Sequence, residues 1–177
     1  LGLDRVGVRL SDGGIEVKTK METSVAGILA AGDVTGGQML AHVAFAQGKV
    51  AAENAMGKES EIDYTAVPRC IYTSPEIASV GLTEDEALAQ GYQVRIGRFP
   101  FAANGMATIL GERTGVIKVI TEAKYGQILG VHIIGPRATD LIPEATLAMK
   151  LEATSREISS AIHAHPTLSE ALMESAL

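Results

Sequence analysis

Near the end of the 177-residue chain, His163-Ala164-His165-Pro166-Thr167-Leu168-Ser169-Glu170 places an imidazole and a carboxylate five residues apart around a proline. Proline disfavours helical geometry in the residue before it, so His165 is expected to be extended, its ring held off a helix that begins just after. Thr167 and Glu170 have the Thr-x-x-Glu spacing of a capping box, in which hydroxyl and carboxylate satisfy the first free backbone amides. Residues 171–177 then supply apolar side chains at helical spacing. Glu170 therefore has two readings. As a cap it is structural. As a partner reaching back to His165 it fixes the ring's tautomer and favours the imidazolium, which makes a general base with an orienting carboxylate. Two histidines one residue apart in an extended segment also face one side and could ligate zinc. His42 and His132 lie far away in sequence, and no Cys, Asp or Glu cluster at ligand spacing joins them, so no metal site is expected.

The elements that must hold this end follow from periodicity and turn chemistry. Strands are expected over 68–73, 77–80 and 92–101, with a capped helix from Thr83 to Gln90 ended by Gly91 and a short helix within 102–110. Residues 116–120 and 128–134, joined across Lys124-Tyr125-Gly126, predict an antiparallel hairpin, and 138–153 a helix carrying Pro143. His132 alternates within that hairpin as a packing or surface residue, and Cys70 reads as a buried strand residue. The class is α+β: an antiparallel sheet with helices, preceded by a piece of α/β type.

That earlier piece begins with the turn Ser11-Asp12-Gly13-Gly14 and a half-buried strand over 15–19. Residues 25–33 form an apolar run ending in Gly32-Asp33, the pattern of a strand buried on both faces. A glycine turn at 35–37 leads into a helix over 39–56 that closes at Gly57. Ligands of open α/β sheets collect beyond the strand ends, where Asp33 could accept a hydroxyl and the next helix could face an anion. Equally, Asp33 could cap its own loop. The polar stretch 57–63 marks the boundary, dividing the chain into 1–62 and 66–177.

Composition narrows the function classes. A hydrophobic content of 46% supports a real core, whereas a net charge of −6 with interspersed signs offers no basic stripe for nucleic acid. Aromatic content of 4% with no Trp leaves few rings for stacking bases. Apolar runs such as 25–31 fall far short of the ~20 residues of a membrane span. The first ten residues lack a signal pattern, and the lone Cys70 excludes an internal disulfide. A soluble protein of the cytoplasm is expected, or of the mitochondrial matrix in a eukaryote. No GxGxxG, P-loop or repeat is present.

Four stretches, taken in order, resemble those of the FAD-dependent pyridine nucleotide-disulfide oxidoreductases, most closely the dihydrolipoamide dehydrogenase branch. Residues 23–33 resemble the second FAD motif of that family, and Met39-Leu40-Ala41-His42 its flavin-edge segment. Tyr72-Thr73-Ser74-Pro75-Glu76 resembles the start of its dimer-interface domain, and 163–171 its active-site end. The resemblance implies that 1–62 is the tail of an NAD/FAD-binding region and 66–177 a dimerisation domain. Asp33 would bind the FAD ribitol, and Met39, Leu40, Ala41 and His42 would line the flavin. His165 would be the acid–base group and Glu170 its orienter, serving the flavin and redox disulfide of the other subunit of a homodimer. NAD and lipoyl-bearing acyltransferase complexes are the implied partners.

The redox-active Cys-x4-Cys pair, the first FAD motif and the NAD-binding domain of such enzymes have no counterpart in these 177 residues. The chain is thus expected to be part of a longer subunit and inactive alone. Glutathione-reductase-like members usually carry a second Glu after the first, where this chain has Ala171, which favours the lipoamide branch. Pro143 departs from the small residue expected there. The competing expectation is a non-catalytic dimerisation module in which 163–170 only caps and packs.

Overall fold

A glycine turn closes the first hairpin, in which β1 (Leu10–Ser11) and β2 (Gly14–Ile15) pair antiparallel. The computed structural model describes residues 1–11 and 13–177, so Asp12 of the expected turn lies outside the described residues. The strand expected over 15–19 stops at Ile15. The chain instead turns back at Met21, which takes a φ of 61° and buries its side chain while its amide donates to Lys18 O.

Residues 25–31 are not a strand. The Thr23 hydroxyl gathers this segment into a tight turn: it donates towards Ile28 O at 2.9 Å and accepts from Val25 N at 3.1 Å, with Gly27 at φ 81°. Glu22 and Leu29 meet in a single antiparallel bridge. Local side-chain-to-backbone bonding has outcompeted the extended form that the apolar run suggested. After a 3-10 turn at Asp33–Thr35 comes α1 (Ala41–Ala55), close to its expected span, with Gly57 in the left-handed region just past its end. Buried Gln47 of α1 accepts from Gly32 N at 2.7 Å and donates to Tyr64 Oη at 2.8 Å, and so holds the Gly32-Asp33 corner on the helix.

The chain divides into two compact units, Leu1–Tyr64 and Thr65–Leu177. In the second, β3 (Arg69–Ile71), β4 (Glu76–Gly81), β5 (Val94–Pro100), β6 (Val116–Glu122) and β7 (Ile128–Gly135) form an antiparallel sheet in the order β3-β4-β7-β6-β5. Alternation puts Ala78, Val80, Ile117, Val119, Val131 and Ile133 in one core, which α4 (Ala138–Lys150) and α6 (Glu170–Ser175) cover. Phe101 is completely buried beside them. At a corner of the opposite face, α2 (Glu84–Ala89) buries Ala87 against Ile120 and Leu129, and its Thr83–Glu86 capping box is fully formed. The rest of that face shows the row Ile71, Ile77 and Ile134 to solvent. α3 (Gly105–Leu110) starts at the N-cap Asn104. This is α+β, as the pattern of strands and helices predicts.

Two expectations need correction here. The helix read over 138–153 ends at Lys150, because Glu152 turns left-handed at φ 54° and Thr154 opens a new capping box with Glu157. That box starts α5 (Ser155–Ser160), which periodicity did not reveal. Cys70 lies in β3 but is only half-buried, since its strand is the sheet's edge. Partial burial, and then the Glu76 carboxylate, push its thiol pKa up.

Candidate acid-base site

α6 is short, and packing rather than propensity anchors it: Leu168, Ala171, Leu172 and Ala176 all sink into the core. Its approach to the sheet is close enough that a Cβ on Gly97 of β5 would run into the Ser175 carbonyl oxygen. Just before the helix, the buried Asn104 side chain accepts from Ala107 N at 2.9 Å and donates to Thr167 O at 3.0 Å. One side chain thus caps α3 and fastens the segment that precedes α6.

The expected capping box at Thr167 is half present. Glu170 Oε2 accepts from Thr167 N at 2.8 Å, but the Thr167 hydroxyl donates to Ala164 O at 2.8 Å and lies 2.9 Å from Ser169 Oγ. The helix starts later than the spacing suggested, with Ser169 as its N-cap, so the hydroxyl is too far back to serve the first turn. The other oxygen, Glu170 Oε1, is 2.8 Å from His165 Nδ1. The contacts that the two readings of Glu170 require are therefore both present, one on each oxygen. The Thr167 amide, and after it the His165 ring, hold the Glu170 carboxyl below its ordinary pKa. His165 precedes a cis bond to Pro166 and is 78% exposed, against 19% for Glu170. With Nδ1 held, Nε2 is the nitrogen left to exchange a proton with a bound molecule.

His163 does not join His165 at a metal. Its Nε2 is 2.8 Å from Glu144 Oε1 and its Nδ1 3.0 Å from Ala161 O, and no group of three metal-ligating side chains occurs among the described residues. His132 is half-buried in β7 with Nε2 3.0 Å from Leu82 O, a packing role as expected. Neither Glu144 nor Asn104 was singled out in the sequence. They sit 19 and 63 residues from their partners, and no local spacing signals either.

The remaining predicted residues belong to the other unit. Asp33 is exposed at the start of its 3-10 turn; Met39, Ala41 and His42 are exposed, and Leu40 is the half-buried, extended N-cap of α1. Among the described residues no side chain caps α1, and a helix N-terminus of this kind favours an anionic or carbonyl edge. Gln38 Oε1 is buried with no hydrogen-bond partner among the described residues. A helix start without a side-chain cap, an exposed carboxylate and an orphaned buried acceptor within ten residues fit a polar cofactor such as a flavin.

Residues 67–176 match the dimerisation domain of the pyridine nucleotide-disulphide oxidoreductases, and residues 1–48 match the pyridine nucleotide-disulphide oxidoreductase domain itself. The chain belongs to this family. Among curated oxidoreductases of the family, dihydrolipoyl dehydrogenase of Thermus scotoductus is 50% identical over 177 residues, covering 99% of this chain and 38% of the relative. That of Bacillus subtilis is 49% identical over 178 residues, covering 100% and 38%. The mitochondrial enzyme of Pisum sativum is 44% identical, covering 100% and 36%. The chain therefore spans under two fifths of the length of these relatives. Among solved structures, LpdA from Mycobacterium tuberculosis superposes with a TM-score of 0.92 at 33% identity, covering 99% of this chain and 39% of that one. The flavoprotein disulfide reductase RclA from Escherichia coli gives 0.89 at 26%, covering 97% and 40%. No helix among the described residues is long and apolar enough to cross a membrane.

Proposed function

We propose that the chain is the C-terminal part of a dihydrolipoyl dehydrogenase subunit, a flavoenzyme that oxidises protein-bound dihydrolipoamide with reduction of NAD. The observation that carries this reading is the Glu170 carboxylate, which bridges His165 Nδ1 and Thr167 N and so presents a tautomerically fixed imidazole at the surface. The names of the relatives support the substrate class. Oxidation of a dithiol to a disulfide releases two protons and two electrons. His165 Nε2 takes a proton from the thiol and leaves the more nucleophilic thiolate, while Glu170 balances the charge the ring acquires. When bound, FAD supplies the two-electron relay from dithiol to NAD. Asp33 would hold its ribitol hydroxyls, residues 39–42 would line it, and the first amides of α1 would face its electron-rich edge. The pair acts across a homodimer, a role in keeping with the dimerisation domain; lipoyl-bearing acyltransferases are the implied partners, and the cytoplasm or mitochondrial matrix the setting.

In the full-length enzyme, His165→Gln should lower dithiol oxidation by about 10²-fold or more. NADH-driven reduction of a dye at the flavin needs no thiol proton and should persist. Undiminished dithiol oxidation would refute the assignment and leave the segment as a cap in a dimerisation module.

A further inference from the structure

Between α5 and Thr167 the chain has no regular structure, and among the described residues no backbone amide of 162–166 donates to a backbone carbonyl. Ala161, Ile162, Ala164, His165 and Pro166 are all exposed. What places this segment is its side chains, and His163 is the one that turns inward, its imidazole only 8% exposed. Its two nitrogens meet the Ala161 carbonyl and the Glu144 carboxylate. Both are acceptors, so only the doubly protonated ring donates to both at once. Glu144 is well seated for this: it lies on α4 between Ile142 and Ala145, both buried, and the start of α4 is tied to β4 by Thr139, whose amide and hydroxyl donate to Glu76 Oε2 at 3.0 and 2.7 Å.

We propose that His163 is a positioning residue, an imidazolium clamped between Glu144 and its own chain that fixes where His165 is presented and adds a positive charge beside Glu170. The inference rests on the acid–base reading of His165. The charged groups facing the ring are Glu144 from α4 and Glu170 from α6. Burial opposes the charge on His163, but the Ala161 carbonyl and the Glu144 carboxylate prevail, and its pKa stands above the ordinary histidine value. The coupling to Glu170 runs both ways, for His163 also helps keep that carboxylate ionised. When His163 loses its proton, one of its two acceptors is left without a donor and the segment carrying His165 is released from one anchor.

The test uses the full-length, flavin-loaded homodimer, with kcat and KM for dithiol oxidation followed against pH. His163→Gln keeps at most one of the two hydrogen bonds and none of the charge; kcat should fall about tenfold or more with little change in KM, the scale of a displaced catalytic group. Glu144→Gln removes the partner charge from a half-exposed site, so the alkaline limb of the kcat profile should move to lower pH. His163→Arg restores a permanent cation with several donors and should recover most of the rate while that limb vanishes. A His163→Gln enzyme with wild-type kcat and an unchanged profile would overturn the proposal. Should that variant not fold, an unmoved profile in Glu144→Gln would do the same. His165→Gln measured in parallel separates the two levels: if it is inactive while the His163 and Glu144 variants behave as wild type, only this inference falls.

Discussion

Glu170→Gln tests the site with a change of a single atom. The carboxylate accepts from two donors, Thr167 N through Oε2 and His165 Nδ1 through Oε1, both at 2.8 Å. A carboxamide has one acceptor oxygen and one donor nitrogen, so it can serve only one of them. If its oxygen stays with Thr167 N, its NH₂ faces Nδ1, draws that nitrogen into an acceptor role and moves the ring proton to Nε2. The nitrogen that should take the thiol proton is then already protonated. If the amide flips, His165 keeps its tautomer but NH₂ meets the Thr167 N–H, and the negative charge is lost in either case. Loss of tautomer and counter-charge together should lower kcat by about 10² to 10⁴-fold. Stability should fall only by the modest contribution of the ionised carboxylate, through the Thr167 amide and the His165 ring, because the core residues beneath the helix are untouched. The assay is steady-state dithiol oxidation coupled to NAD, with thermal unfolding alongside. Since the pair acts as a unit, Glu170→Gln combined with His165→Gln should cost little more than His165→Gln alone. Near-wild-type turnover in Glu170→Gln would show that the carboxylate is a helix cap and nothing more.

The isolated 177-residue chain should purify colourless, because Asp33 and the start of α1 would form only one wall of the proposed flavin site; stoichiometric bound flavin would contradict this. Residues 68–177 should self-associate through the exposed Ile71-Ile77-Ile134 row, and sedimentation as a strict monomer at high micromolar concentration would count against it. Stability should be lost on both sides of neutrality. Glu170 and Glu76, whose carboxyls are depressed, contribute fully above the ordinary carboxylate pKa of about 4.3 and lose their contribution as pH falls through their native values. His163, whose pKa is raised, contributes fully below about 6.5 and loses its contribution as pH climbs through its native value. Unfolding midpoints against pH for wild type and His163→Gln should therefore converge on the alkaline side; a constant gap would refute the linkage. Gly97→Ala should destabilise by about 1–3 kcal/mol, since the new methyl forces α6 off the sheet, and should depress turnover with it. Unchanged stability would show that α6 tolerates the displacement.

Several features that rest on short-range chemistry were legible in the sequence. The Thr83–Glu86 box, the β6–β7 hairpin with Gly126 at φ 75°, and the five-residue spacing of His165 and Glu170 are all local patterns, and each appears in the fold. The misses divide into three kinds. Residues 25–31 read as a buried strand because apolar runs do not say which backbone they adopt, and the hydroxyl of Thr23 decided for a turn. Thr154 and Glu157, by contrast, carried a legible capping signal inside what periodicity presented as one long helix. The Glu144–His163 and Asn104–Thr167 contacts had no sequence signature, since only the packed sheet and helices bring those residues together.

The tether at Asn104 separates two properties of the dyad. Its internal geometry closes a loop of only five residues, which costs little chain entropy and needs no distant element. Its direction in space is set from elsewhere, by an amide 63 residues upstream that grips the carbonyl of Thr167. A protein altered at Asn104 would thus keep a well-formed imidazole–carboxylate pair that points the wrong way. Such an enzyme would hold the right reagent and deliver it to the wrong address, a defect that no inspection of residues 163–170 alone would disclose.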